Sequence, residues 1–177
     1  MSDPHFRPFW GKFSFQGQDH PLSHLDQFDR VYAVSADRNV TIRVIFSHHC
    51  FTEETLPSHH PDLDFTLHRN DPRSFSFRRH ALSANLPSLI GTIMGGKVQM
   101  TTGVNYVRLT TQMIGGQECD YSVFFSLDRA NVAGIDLLMR VRSAHDRTDP
   151  VQTFGDVRFK NLVELALKGR RPKKIFR

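Results

Sequence analysis

Cysteine is scarce: Cys50 and Cys119 are the only two thiols in 177 residues. They show no Cys-x-x-Cys spacing and cannot build the disulfide framework of a small secreted scaffold, and a single bridge is not expected in a reducing compartment. Long apolar runs are missing too, since no stretch approaches the ~18–20 residues that a membrane helix needs. The first ten residues, Met1–Trp10, lack a basic start followed by an apolar stretch, so no secretory signal is expected there. There is no Walker loop, no dinucleotide fingerprint, no Gly-x-Ser-x-Gly elbow and no His-Glu-x-x-His. Gly95-Gly96 and Gly115-Gly116 read as turns rather than phosphate cradles. These absences argue against P-loop ATP chemistry, zincin proteolysis, α/β-hydrolase chemistry, a membrane protein and a repeat array, and they lead to the expectation of a cytoplasmic protein.

Hydrophobic residues at 39% suffice for a core, and charged residues at 23% are too few for a disordered chain. The formal net charge is +5. It is unevenly placed: residues Lys160 to Arg177 hold seven Lys and Arg against one acid, Glu164, so the rest of the chain is close to neutral. The segment Gly169–Arg177, with Arg170, Arg171, Lys173 and Lys174, is expected to hold a phosphate backbone by charge alone. A solvated terminus is the plainer alternative.

Along the chain, Lys12–Gln16 alternates around Phe13 and Phe15 and reads as a first strand. Arg30–Ser35 and Asn39–Phe46 read as a hairpin turning at Ala36-Asp37-Arg38. In its second arm Val40, Ile42, Val44 and Phe46 share one face. Residues 47–72 carry His48-His49-Cys50, His59-His60 and His68 among Pro57, Pro61 and Pro72, and read as a long loop. Phe75–Leu82 is expected to be extended and Leu86–Met94 a short helix with Pro87 in its first turn. Lys97–Thr101, Tyr106–Met113, Tyr121–Leu127 and Ile135–Ser143 form a meander, and Phe159–Lys168 is an amphipathic helix ending at Gly169. The expected fold is therefore α+β: one domain over 1–168 built on an antiparallel β-meander, with a C-terminal helix across the sheet, a short helix near 86–94, and a basic tail at 169–177.

Histidine, with ten copies, is the conspicuous chemical resource. If the strand that ends at Phe46 continued, His48 and Cys50 would share a face, and His59 or His60 could return from the loop to complete a tetrahedral zinc set. The spacing does not demand this, and neither metal nor cofactor is expected. Metal-free cleavage of RNA needs a base for the 2′-OH, an acid for the leaving oxygen, and fixed cations for the phosphorane. Histidine suits the first two tasks and arginine the third. Both occur at strand ends: His48 and His49, then Arg78-Arg79-His80, then Arg140, Arg142, Ser143, His145 and Arg147. On the last strand Leu137, Met139 and Val141 take one face, with Ser143 and His145 following them, while Arg140 and Arg142 take the other.

The stretch Asp136–His145, an apolar strand ending Val-Arg-Ser-Ala-His, is followed by a polar loop with Pro150 and an amphipathic helix ending Lys-Gly-Arg. It resembles the C-terminal half of prophage-encoded nucleases in the group that unites barnase, EndoU, colicin-type tRNases and RelE-like toxins. Tyr121–Leu127 and Val40–Thr52 fit the same picture. The resemblance implies a small sheet with helices on one side and metal-independent endoribonuclease activity, as a toxin or defence effector of a mobile element. On that basis His145 and one of His48 and His49 would form the acid–base pair, and Arg79 and Arg142 would stabilise the phosphate. Ser143 would orient it, and Arg140, Arg147, Arg170, Arg171, Lys173 and Lys174 would hold the RNA. The expected partners are RNA, tRNA included, and a neutralising antitoxin or immunity protein, with no membrane. A non-catalytic nucleic-acid- or protein-binding regulator is the alternative from another class, and a zinc protein using His48 and Cys50 is a further one.

Overall fold

Alternation in Val40–Phe46 buries Val40, Ile42, Val44 and Phe46 and leaves Thr41, Arg43 and Ile45 half-buried on the opposite face. This is the signature of a strand with one face on a core. The computed structural model describes residues 3, 5–103 and 105–173. The elements in chain order are β1 (Lys12–Phe15), β2 (Gln18–Pro21), β3 (Phe28–Ser35), β4 (Arg38–Phe46), β5 (Thr52–Glu54), β6 (Arg73–Phe75), α1 (Phe77–Ser83), α2 (Leu86–Gly95), β7 (Lys97–Met100), β8 (Tyr106–Ile114), β9 (Gln117–Val132), β10 (Ile135–Asp146), β11 (Asp156–Arg158) and α3 (Phe159–Leu167).

Seven strands form the main sheet in the order β11-β7-β8-β9-β10-β4-β3, and β1-β2 and β5-β6 make two small hairpins. The meander from β7 to β10 is antiparallel throughout. The β8–β9 hairpin closes Ile114 onto Gln117 around Gly115 and Gly116, both with positive φ, a backbone that glycine adopts without steric cost. The sheet is mixed at one seam, where β10 runs parallel to β4. That pairing joins the N-terminal hairpin to the meander and sets the exit of β4 beside Val141.

One face of the sheet is covered. The α3 stripe Phe159, Leu162, Val163 and Ala166 is buried, and it packs across β9, β10 and β3. Each such large apolar side chain contributes about 1.5–3 kcal/mol relative to exposure. Gly169, at φ +64, ends the helix as its position predicts, with its N–H and that of Arg170 donating back to the Ala166 and Leu165 carbonyls.

Three expectations need correction. Phe75–Leu82 is extended only to Phe75 and is helical from Phe77. The Ser76 hydroxyl caps that helix by accepting from the Arg79 N–H, and the run Phe-Arg-Arg-His-Ala-Leu-Ser has no β-branched residue to resist it. The loop at 47–72 is partly regular: it opens with a 3-10 turn at His48–Cys50, enters β5, and β5 pairs with β6 from Thr52↔Phe75 to Glu54↔Arg73. The third correction concerns β10, whose register slips between Val141 and Ser143. This bulge hands the core face to Ala144, fully buried opposite Val123, and moves Ser143 and His145 off the face taken by Leu137, Met139 and Val141.

Candidate metal centre

The β4 strand ends at Phe46, and Ser47 does two things that decide the site. Its N–H donates to the Val141 carbonyl, and its hydroxyl accepts from the His49 N–H, turning the chain into the 3-10 turn. In a 3-10 turn successive side chains fan out by roughly a third of a turn rather than alternating. His48 and His49 consequently lie against each other, ring centroids 4.5 Å apart, whereas Cys50 turns into the core. The Cys50 thiol is fully buried, lies 3.8 Å from the Val141 carbonyl, and is pushed up to about 12 by burial. Turned into the core, it does not face the two histidines, which removes the alternative His48/Cys50 ligand pairing.

Two residues from distant parts of the chain complete the group instead. Phe6 bridges to Ser47 in antiparallel fashion, which brings His5 over His48 in a stack 5.2 Å apart and 9° from parallel. Asp71 arrives from the end of the loop, after a bend closed by the Asp71 N–H donating to the His68 carbonyl. The side-chain donor atoms of His5, His48, His49 and Asp71 all lie within 4.8 Å of one another. The Asp71 Oδ2 is the hub, at 2.8 Å from His49 Nε2, 3.5 Å from His5 Nδ1 and 3.6 Å from His48 Nε2. A tetrahedral zinc ion with ligand bonds of about 2.0–2.1 Å spaces its ligands about 3.4 Å apart. These separations already approximate that spacing.

The hydrogen bonds fit the same geometry. His48 Nδ1 lies 3.2 Å from the His5 carbonyl, an acceptor, so Nδ1 carries the proton and Nε2 presents its lone pair to the cluster. Among the described residues, His48 Nε2 and His5 Nδ1 are both buried and lack a hydrogen-bond partner. Burial lowers the His48 ring to about 4 and also lowers His49, which Arg73 opposes further. Burial alone would raise Asp71, yet its neighbours His49, Arg73 and His48 outweigh that and hold the carboxyl below its usual range. His48 and His49 are thereby held as neutral imidazoles beside an ionised Asp71 carboxylate, the protonation state a metal requires. His48 is fully enclosed, while His5, His49 and Asp71 keep 33%, 28% and 27% side-chain exposure, so one side of the centre is open to solvent.

Behind the centre, arginines fix the backbone. Arg79 donates to the His49 carbonyl at 3.2 Å and the Thr52 carbonyl at 2.8 Å. Arg73 donates to the same Thr52 carbonyl at 2.8 Å and to its hydroxyl, and that hydroxyl donates to the His48 carbonyl. Below lies an aromatic layer in which Phe51 contacts Trp10 and Phe65.

The residues expected to act on RNA are divided among separate places. His145 pairs with Ser143, Oγ to Nδ1 at 3.2 Å, and stacks on Phe124. Burial, then Arg79 and Arg147, lower it to about 4. Among the described residues its side chain makes no hydrogen bond or ring contact with His48 or His49. Arg79 stands between the two groups but spends its donors on carbonyls. Arg142 is exposed at the bulge, and Arg140 shares Asp128 with Arg171. The Arg147 guanidinium lies 6.0 Å over the Phe124 ring. Arg170 and Lys173 are exposed, and Lys174 lies outside the described residues. His59 lies 3.9 Å from Glu53, and His60 accepts from the Asp62 N–H, both away from the cluster. Sequence reasoning missed His5 and Asp71. The one available signal was His5 itself, placed in a proline-broken, aromatic-rich segment that has to pack somewhere on the domain.

Residues 12–167 match the YjaZ family, so the chain belongs to that family. No curated protein and no solved structure gives a significant match. The family match spans the β1–α3 domain and includes His48, His49 and Asp71, whereas His5 lies before it.

Proposed function

We propose that this member of the YjaZ family is a metalloprotein whose centre, His5, His48, His49 and Asp71, holds one zinc-class divalent ion. The observation that carries the reading is the convergence, from three separate chain segments, of four donor atoms within 4.8 Å, two of them buried ring nitrogens without a hydrogen-bond partner. Three imidazoles and a carboxylate suit zinc and its transition-metal neighbours rather than calcium or magnesium, which prefer all-oxygen sets. Such an ion supplies a Lewis acid; four protein donors close a tetrahedral ion, so hydrolytic use would require one donor, with Asp71 on the solvent-open side the one placed to yield, to give its position to water. Arg73, Arg79 and Thr52 hold the turn that carries His48 and His49 and so position the ligands. The test is metal content and activity together. The protein as produced should carry close to one equivalent of zinc-class metal, and His48→Ala and His49→Ala should each lose it. A phosphodiester and an ester substrate panel should be cleaved by the loaded protein and spared after chelation. Metal-free protein from zinc-supplemented expression would refute the reading.

A second reading keeps metal-independent RNA cleavage, favoured by one observation: the Ser143–His145 pair lies close to Arg79, Arg147 and Arg73. RNA cleavage that survives chelation, leaves 2′,3′-cyclic ends, and disappears in His145→Ala would support it over the metal reading.

A further inference from the structure

The sheet face opposite the helices carries a cleft of about 380 Å³ between the N-terminal segment and the β4–β10 seam. Its walls include Phe6, Arg7, Gln27, Ile45, Arg140 and Arg142, and Asp3 is the one acid on its rim. Among the described residues, neither Arg7 nor Arg142 has a carboxylate partner. Among the described residues the Arg7 guanidinium lies over the Trp10 ring at 5.8 Å, and the Arg142 side chain makes no hydrogen bond or ion pair. Arg140 shares Asp128 with Arg171, so that acid is already over-subscribed. The Asp3 carboxylate is engaged by the His5 N–H. Three guanidiniums therefore face one small space with less negative charge than they need.

The positions are built rather than incidental. Arg142 is the extra residue of the β10 bulge, and a bulge redirects the side chain it carries. The opposite wall is fixed by two main-chain contacts: Phe6 bridges to Ser47, and the Gln27 N–H donates to the Pro8 carbonyl at 2.8 Å. The floor is mixed in character, with the half-buried Phe6 ring and Ile45 side chain beside the Gln27 amide. Planar guanidinium forks match phosphate oxygens, and an aromatic and aliphatic surface with one amide suits the face and edge of a nucleobase. The volume falls within the range of small-ligand sites.

We infer that this cleft binds a nucleoside phosphate unit, either a free nucleotide or one residue of an RNA strand, with the phosphate on Arg142, Arg7 and Arg140 and the base against Phe6 and Ile45. The site is separate from the metal centre: His5 faces the centre and Phe6, the next residue, lines the cleft. It stands independently of whether that centre holds an ion.

The test is calorimetric titration of the full chain with adenosine 5′-monophosphate, a short oligouridylate and inorganic phosphate. Arg142→Gln and Arg7→Gln serve as variants, and because both side chains reach solvent, the variants should melt as the parent does. Adenosine monophosphate and the oligonucleotide should bind, inorganic phosphate should bind more weakly, and each substitution should weaken nucleotide binding about tenfold or more. Binding of both nucleotide probes marks the unit itself as the ligand. Binding of the oligonucleotide alone, still lost in Arg142→Gln, marks a strand. The inference is overturned by saturable binding of none of the three, by affinities indifferent to both substitutions, or by inorganic phosphate binding as tightly as the nucleotide. Oligonucleotide binding that depends on residues 170–177 and not on Arg142 overturns it as well.

Discussion

Metal binding at His5, His48, His49 and Asp71 has a stability consequence that can be worked through. No site is preformed in the unfolded chain, because its ligands lie at positions 5, 48, 49 and 71 and are brought together only by the Phe6–Ser47 bridge and the loop bend at Asp71. Binding energy therefore appears as folding energy. At free zinc about a hundredfold above Kd the gain is about 2.7 kcal/mol. For a chain of this length each kcal/mol moves Tm by about 2–4 °C, so zinc should raise Tm by about 5–10 °C relative to chelated protein. The assay is thermal unfolding followed by circular dichroism with zinc or with chelator, run on the parent, His48→Ala, His49→Ala, Asp71→Asn and Cys50→Ala. The comparison is the metal-dependent difference within each variant, so a change in baseline stability cancels. The three ligand variants should lose most of the rise. Cys50→Ala should keep it, because that thiol lies on the Val141 carbonyl and is pushed to about 12. A rise that persists in His48→Ala and His49→Ala, or one that vanishes in Cys50→Ala, would refute the ligand assignment.

Further outcomes follow from other parts of the molecule. His145 stays neutral when folded down to about 4, against 6.5 for an ordinary histidine. The unfolded state therefore takes up its proton first as pH falls, and stability declines between 6.5 and 4. Discounted for partial exposure, the decline is about 2–3 kcal/mol, and urea titrations across that window should show it reduced in His145→Gln. Arg73→Met removes the donors that hold Thr52 and should cost about 2–3 kcal/mol in urea unfolding. Phe51→Ala opens the fully buried aromatic layer under the centre and should cost about 3–5 kcal/mol. Since the cleft is separate from the metal centre, nucleotide binding should be the same with and without chelator, read by the same calorimetry.

Much of the fold was legible because period-2 patterning and turn chemistry report directly on a sheet with one buried face. The second arm of the first hairpin, the Gly115-Gly116 turn and the α3 stripe ending at Gly169 all sit where patterning puts them. Helix α1 was not legible from the same rules, because Phe75–Leu82 mixes a strand end with a capped helix start and the decisive atom is one hydroxyl, on Ser76. The parallel β4–β10 pairing joins strands separated by about half of the chain, and local pattern carries no information about such a partner.

The site was half legible, and its errors share one physical cause. His48-His49 stands out in the sequence and is central to the cluster, yet the Cys50 partner considered for it there followed from assuming that alternation continues. At Ser47 the chain leaves period 2 for a 3-10 turn, which sends Cys50 to the core and leaves both histidines facing His5 and Asp71. At Arg142 a single extra residue reverses the parity of β10, which carries His145 away from the apolar face and leaves Arg142 beside Arg140 at the cleft. Two local departures from regular geometry thus redirect these side chains. They produce a histidine–carboxylate centre on one side of the N-terminal segment and an arginine-lined cleft on the other. That division is physically coherent: neutral imidazoles suit a cation only if arginine side chains are kept from the ligand atoms, and Arg73 and Arg79 meet this by spending their donors on the Thr52 and His49 carbonyls. Among the described residues the guanidiniums of Arg7 and Arg142 have no carboxylate partner, and they line the cleft on the far side of the N-terminal segment, where an anion can reach them without crossing the centre.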